Sequence, residues 1–210
     1  GPCQGSDRSS ILLSRSKDKI MAHQQQFNYI QKLKLKYPTQ FFNKKVLEVG
    51  SLNINGSIRM FFTECDYLGV DVGPGKDVDL VCEGQNLDHP NETYDTVGSC
   101  ECFEHNPHWV ETFNNMHRMT KPKGLIFMTC ATTGRPEHGT TRTSPQDSPL
   151  TTGIGWEYYK NLTVEDFVQN IDLDNMFLAY EFEVGSPHQD AIHVSFYLPQ
   201  QELAKNADVL

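Results

Sequence analysis

The chain has 210 residues, enough for one complete hydrophobic core and short for two. With 38% hydrophobic and 21% charged residues it has the profile of a globular protein, which excludes a disordered or fibrous chain. The net charge of -9, from 27 acidic against 18 basic residues, argues against a large nucleic-acid footprint, because a protein that grips the phosphate backbone needs positive charge on that face.

Residues 1–19 are polar and serine-rich, and their only apolar stretch, Ile11, Leu12 and Leu13, is too short for a signal-peptide core. Residues 1–20 read as a flexible segment or a tag remnant beginning at Gly1 and Pro2, with Met21 as a natural start. No segment approaches the length of a membrane span, so no membrane partner is expected. The six cysteines (Cys3, Cys65, Cys82, Cys100, Cys102, Cys130) do not form the paired CxxC spacing of a structural zinc site. With no export signal, a reducing, cytoplasmic setting is expected.

In chain order, residues 22–36 read as a helix, with Phe27, Ile30 and Leu33 near helical spacing and Pro38 as its stop. A short apolar strand over 46–49 runs into Gly50, a small helix is expected over 56–62, and a second strand over 67–70 ends at Asp71. A weaker strand covers 78–82 and a fourth 94–99. Pro107 then opens an amphipathic helix carrying Trp109, Val110, Phe113 and Met116, which ends before Pro122. Residues 125–128 form a strongly apolar fifth strand. The segment 132–160 is rich in Gly, Pro, Thr and Ser and reads as a functional lid or substrate loop. A short helix follows over 162–171, with Thr163 as cap and Asp166 three residues on. Strands at 176–184 and 191–198, interrupted by Gly185, Ser186 and Pro187, pair as a terminal hairpin, and residues 201–210 form a polar tail. This alternation predicts a single α/β domain over 21–200, with a mostly parallel seven-stranded sheet and helices on both faces.

Four segments on the carboxyl rim of that sheet carry candidate chemistry. Glu48 precedes a turn containing Gly50, Ser51, Asn53 and Gly56, whose backbone N–H groups can hold a ligand carboxylate. Glu48 is then expected near a positive group such as the ammonium of a bound amino acid. The turn lacks both GxGxxG and the P-loop pattern, so ordinary turn glycines explain it equally well. Asp71 ends the second strand 21 residues after Gly50, beside Val72, where an acid hydrogen-bonds ribose hydroxyls. Glu83, Gly84, Gln85 and Leu87 follow the third strand and can offer an acceptor for an adenine amine and an apolar side chain for its ring. After the fourth strand, SCECFEH at 99–105 places Cys100 and Phe103 as wall residues and His105 as a candidate base or water-orienting group.

Taken together, VLEVG at 46–50, GVD at 69–71, EGQNL at 83–87, YDTV at 94–97, FEH at 103–105 and HRMTKPKGLIF at 117–127 resemble the class I S-adenosylmethionine-dependent methyltransferases, in particular the methyltransferase type 11 group. The resemblance covers about residues 44–132 well and the strand plan to about 198. It implies a Rossmann-like sheet of order 3-2-1-4-5-7-6 with strand 7 antiparallel. It also implies S-adenosyl-L-methionine as cofactor, with Glu48 and Gly50 at its methionine part, Asp71 at the ribose, and Glu83 and Gly84 at the adenine. The family's glycines two and four residues after Gly50 are replaced here by Leu52 and Ile54, which alters the methionine loop.

Methyl transfer is an in-line displacement at the sulfonium methyl and depends largely on positioning, with a base to help a hydroxyl nucleophile. The lid offers His138 as that base, Arg135 or Arg142 for an anionic group, and Trp156, Tyr158 and Tyr159 to stack on a sugar or ring. The alternative is a lid whose arginines pair with its own acids. The stretch from Ala131 to Thr140 is similar to methyltransferases of glycan-building genes, which points to a sugar or other small-molecule hydroxyl as acceptor. Glu101, Glu104 and His105 are close in sequence, but ordinary polar roles account for them and no metal is expected. The competing readings are a nicotinamide-dependent oxidoreductase and a non-catalytic nucleoside-binding protein on the same fold.

Overall fold

In the computed structural model, which describes residues 24–185 and 191–197, seven strands form one sheet of order β3-β2-β1-β4-β5-β7-β6. They are β1 (Lys45–Val49), β2 (Asp66–Asp71), β3 (Leu80–Val81), β4 (Tyr94–Cys100), β5 (Thr120–Ala131), β6 (Ala179–Val184) and β7 (Ala191–Tyr197). The first five run parallel, and β7 pairs antiparallel with both β5 and β6. The terminal pair is the expected hairpin; its connection at 186–190 lies outside the described residues, as do residues 1–23 and 198–210, where the N-terminal segment and polar tail were placed.

The core follows from strand alternation. Every residue of β5 from Gly124 to Ala131 is buried. Ile126, Met128 and Cys130 join one apolar cluster and Leu125 and Phe127 the other, so the strand is covered on both faces. The first cluster is closed by helix α2 (Trp109–Met119), through Trp109, Phe113 and Met116. Phe167 of helix α4 (Val164–Asn170) and Leu173 packs there too. The second cluster is closed by Tyr29, Ile30 and Leu33 of the helix over 24–36 (α1), and by Phe41. Thr163 and Asp166 form a reciprocal capping box at the start of α4, as their spacing suggests.

Several elements differ from expectation. The small helix expected over 56–62 is a single 3-10 turn, Ile58–Phe61, and β3 is only two residues long. Among the described residues no α-helix lies between β1 and β4. These crossovers lack the recurring apolar spacing that would bury a helix face. Helices therefore cover the centre of the sheet, and Leu80 and Val81 of β3 are exposed. β5 is longer than its apolar run because Thr120 already pairs with Tyr94, and Met176 belongs to a short helix (Leu173–Met176) rather than to β6. The lid contains a 3-10 turn, Pro145–Asp147, and a short helix α3 (Pro149–Gly153).

Gly98 of β4 sits against the ring of Phe127, and a Cβ at this position would lie 2.6 Å from its Cζ. Gly98→Ala is expected to destabilise the fold by about 1–3 kcal/mol through overpacking. Combining it with Phe127→Leu should cost less than the sum of the two single changes, as measured by chemical denaturation.

Candidate functional site

The carboxyl ends of β1, β2 and β4 meet around a small cleft, part of it open to solvent. It is lined by Val49 and Gly50 at the end of β1, by Val70, Asp71 and Val72 at the end of β2, and by Cys82 and Gly84 after β3. Cys102 and Asn106, which follow β4, and Thr151 and Trp156 of the lid segment complete the lining. The lid segment thus does reach this rim.

Local backbone geometry creates this arrangement. Gly50 leaves β1 with φ +80, and a Cβ there would lie 2.5 Å from the Cβ of Cys102. Only glycine permits both the left-handed turn and that approach. After β4 the chain bends at Glu101, a non-glycine residue with φ 50, and this turn swings Cys102 under Gly50. Gly84 is equally tight, since a Cβ would meet Thr112 Cγ2 at 2.7 Å and Val49 Cγ1 at 2.9 Å.

Asp71 accepts from the backbone N–H of Leu52 at 2.9 Å and of Val72 at 2.8 Å. Burial raises its pKa, and the two backbone donors counteract that. Each oxygen still has a lone pair to offer a ligand. Leu52, standing where a glycine was expected, supplies one of the N–H groups that orient this carboxylate.

Of the residues singled out from sequence, Gly50, Asp71, Val72, Gly84 and Trp156 line the cleft. Others lie elsewhere. Glu48 alternates with Leu47 and Val49 along β1, which both belong to the α2-side core, so it points to the α1 side of the sheet and not into the cleft. There it is buried, accepting from the Tyr67 hydroxyl at 2.7 Å. Burial raises its pKa to about 8, against lowering by Tyr67 and by the charge of Arg59. Ser51 is buried beneath Gly69 on the same side. Asn53 donates to Asp77 at 2.6 Å and accepts from the Gly56 N–H at 2.9 Å, so these two brace their own loop. Glu83 accepts from Gln85 at 2.7 Å and Asn86 at 2.8 Å within its turn, and Leu87 is part of the core. Cys100 packs against the α1-side cluster, and Cys102 takes the wall position expected of it. Cys102 and Asn106 were missed because their direction depends on the turn at Glu101, which no residue type signals.

A second cluster lies beyond Cys102 at the ends of β4 and β5. Glu104 and His105 are buried in the 3-10 turn Phe103–His105. The ring of His105 meets that of His138 edge-on at 5.0 Å, and Tyr159 contacts both. Burial, with Arg135 and His138 nearby, lowers the His105 pKa to about 3, far below the range of an efficient base at neutral pH. Burial also lowers that of His138, whose Nδ1 lies 3.1 Å from the Pro136 carbonyl. Arg142 pairs with Glu137 at 2.9 Å and Glu157 at 3.5 Å, within the lid itself. The Tyr159 hydroxyl donates to Asn161, whose amide in turn donates to the Arg135 carbonyl. Tyr158 is half-buried and does not line the cleft.

A family model described as a methyltransferase domain matches residues 21–197. No curated protein matches the chain. Among solved structures, the chain is similar to Haemonchus contortus phosphoethanolamine N-methyltransferase 2, in complex with phosphomonomethylethanolamine and S-adenosylhomocysteine, at 14% identity and TM-score 0.55. That match covers 80% of this chain and 53% of the other, so this chain spans about half the length of the worm enzyme. It is also similar to Burkholderia thailandensis 1,6-didemethyltoxoflavin-N1-methyltransferase, at 12% identity and TM-score 0.52, covering 95% of this chain and 93% of that one. A third, the CurJ carbon methyltransferase, has 11% identity and TM-score 0.52 over 76% of this chain and 50% of its own. At these identities the likeness establishes the shared fold. No helix among the described residues is long and apolar enough to cross a membrane.

The position of Glu48 has a measurable consequence. Folded, it keeps its proton up to about pH 8, whereas an unperturbed carboxyl loses it near 4.5. Its contribution therefore favours the fold below pH 4.5 and is lost as pH rises to about 8. Thermal melts should show a steeper fall in Tm with rising pH for the wild type than for Glu48→Gln; parallel curves would exclude the protonated state.

Proposed function

Since this chain belongs to the class I S-adenosylmethionine-dependent methyltransferases, we propose that it methylates a hydroxyl group of a sugar or other small polar molecule, with the donor in the cleft beneath Trp156. The observation that carries the donor placement is Asp71, whose carboxylate opens into the cleft between Gly50 and Gly84 with lone pairs left for two ribose hydroxyls. Gly50 and the backbone around it would take the methionine part. Gly84 and Cys82 would flank the adenine.

The solved neighbours include methyltransferases named for nitrogen and carbon positions, so the fold leaves the acceptor atom open. The hydroxyl reading is supported by the polar groups that adjoin the cleft. Asn106 lines it, Glu104 and His105 precede Asn106 directly in the chain, and His138 is gathered to them. A hydroxyl acceptor is held by hydrogen bonds, and these polar side chains can supply them. Trp156 offers an apolar face over the opening, in edge contact with His108 at 5.7 Å. Arg142 is left out of acceptor binding, because its charge is already met by Glu137 and Glu157. Arg135, close to both histidines, is the arginine that would face an anionic acceptor.

Asp71→Asn should weaken binding of S-adenosylhomocysteine by about ten-fold or more, the worth of a charge-assisted hydrogen bond, measured by isothermal titration calorimetry. Unchanged affinity would remove Asp71 from the ribose role. The acceptor atom is decided by the methyl resonance of the product formed from ¹³C-methyl-labelled S-adenosylmethionine with a panel of small polyols and amines. An oxygen-linked methyl is expected, and a nitrogen-linked one would replace the hydroxyl reading.

A further inference from the structure

We propose that Glu104, His105 and His138 form a binding site for one divalent first-row transition cation, and that this cation holds the acceptor hydroxyl beside the cleft. One carboxylate oxygen and two imidazole nitrogens from these residues all lie within 4.8 Å of one another. They come from different parts of the chain. Glu104 and His105 follow β4, and His138 is delivered by the lid through the positive-φ turn at Gly139, where a Cβ would strike His105 Cε1 at 2.6 Å.

Two orphaned atoms point to a missing partner. Glu104 is fully buried, and while its Oε1 accepts from the Ala131 N–H at 3.2 Å, its Oε2 has no hydrogen-bond partner. His105 is 3% exposed, and its Nδ1 likewise has no partner. Leaving such groups unpaired in the interior is destabilising, more so for a charge. Both belong to the three residues whose ligand atoms converge. A single cation would satisfy both.

The surroundings fit that role. Glu101 brings a second carboxylate near Glu104, adding negative charge beside the three ligands. Glu101 is itself held by the Thr129 hydroxyl at 2.7 Å and by its left-handed backbone. The ring of Tyr159 packs on both imidazoles and limits their rotation. Two imidazoles with one carboxylate favour Mn²⁺, Fe²⁺, Co²⁺ or Zn²⁺ over Mg²⁺ or Ca²⁺, which prefer all-oxygen sets. Three protein ligands leave positions open for an oxygen of water or acceptor.

The proposed catalytic role rests on the methyl-transfer reading above; cation binding does not. A hydroxyl bound to the cation has a lowered pKa and gives its proton to water. Its oxygen forms the new C–O bond to the methyl carbon, the C–S bond breaks with its electron pair staying on sulfur, and no redox change occurs. His138 is then a ligand rather than the base its sequence position suggested.

The chain should be treated with EDTA, dialysed, and titrated with Co²⁺ while visible absorption and heat are recorded. Binding of one equivalent is expected, with ligand-field bands of a mixed nitrogen and oxygen site. His138→Ala, a half-buried lid position that can be lost without opening the core, should weaken binding at least about ten-fold. Glu104→Gln should do the same if it folds, as judged by its melting curve. Absence of Co²⁺ binding by the wild type, or a folded His138→Ala variant that binds as tightly, would overturn the site. A parallel titration with S-adenosylhomocysteine separates the two readings. Cation binding without nucleoside binding would leave the site standing and remove the methyl-transfer reading.

Discussion

The close approach of two chain reversals, at Gly50 and Cys102, is the constraint from which the functional rim is built. There is no room for a Cβ at Gly50, because Cys102 occupies that space at 2.5 Å. The turn after β1 and the turn after β4 are therefore locked together at the carboxyl edge of the sheet. Gly50 and Cys102 both line the cleft with Asp71, and Glu104 and His105 of the buried cluster follow Cys102 in the chain. Glu101, just before Cys102, has a left-handed backbone. Residues held in that region cost energy and persist where surrounding structure over-determines them, here through Thr129.

The sheet supplies rigidity for this edge. β4 and β5, which carry the cluster, are the central strands, and the apolar residues of β5 are covered on both faces. The β2 and β3 side is thinner, with 3-10 turns in place of crossover helices and exposed residues in β3. The β2 and β3 side of the rim is thus bounded by loops that brace themselves through side-chain pairs such as Asn53 with Asp77 and Glu83 with Gln85. The β4 and β5 side is bounded by the most deeply packed strands.

Polar groups inside the protein divide into two kinds. Glu48 is satisfied by Tyr67 and stays protonated to about pH 8, so it is a buried acid within the α1-side layer. Glu104 Oε2 and His105 Nδ1 are buried without a hydrogen-bond partner. Glu48 takes its direction from strand alternation in β1, and Glu104 takes its own from the 3-10 turn after β4.

The fold was largely legible in the sequence. Apolar runs at 46–49, 67–70, 94–99 and 125–128, with helical spacing at Trp109, Phe113 and Met116, are local patterns that tertiary contacts reinforce. The spacing from Gly50 to Asp71 placed the cleft, because both positions end adjacent parallel strands. Three things were not legible. Glu48 looked like a ligand-facing acid, yet strand alternation turns it to the other face. Cys100 and Cys102 exchange roles through the turn at Glu101, whose positive φ no composition rule announces. Glu104, His105 and His138 are separated by more than thirty residues of chain at their widest, and only the folded lid brings His138 to the other two. Periodicity and spacing determine which strands form and where they end, since those depend on neighbours in the chain. Which side chains share a cavity depends on single backbone turns and on long-range docking, and only the three-dimensional structure decides that.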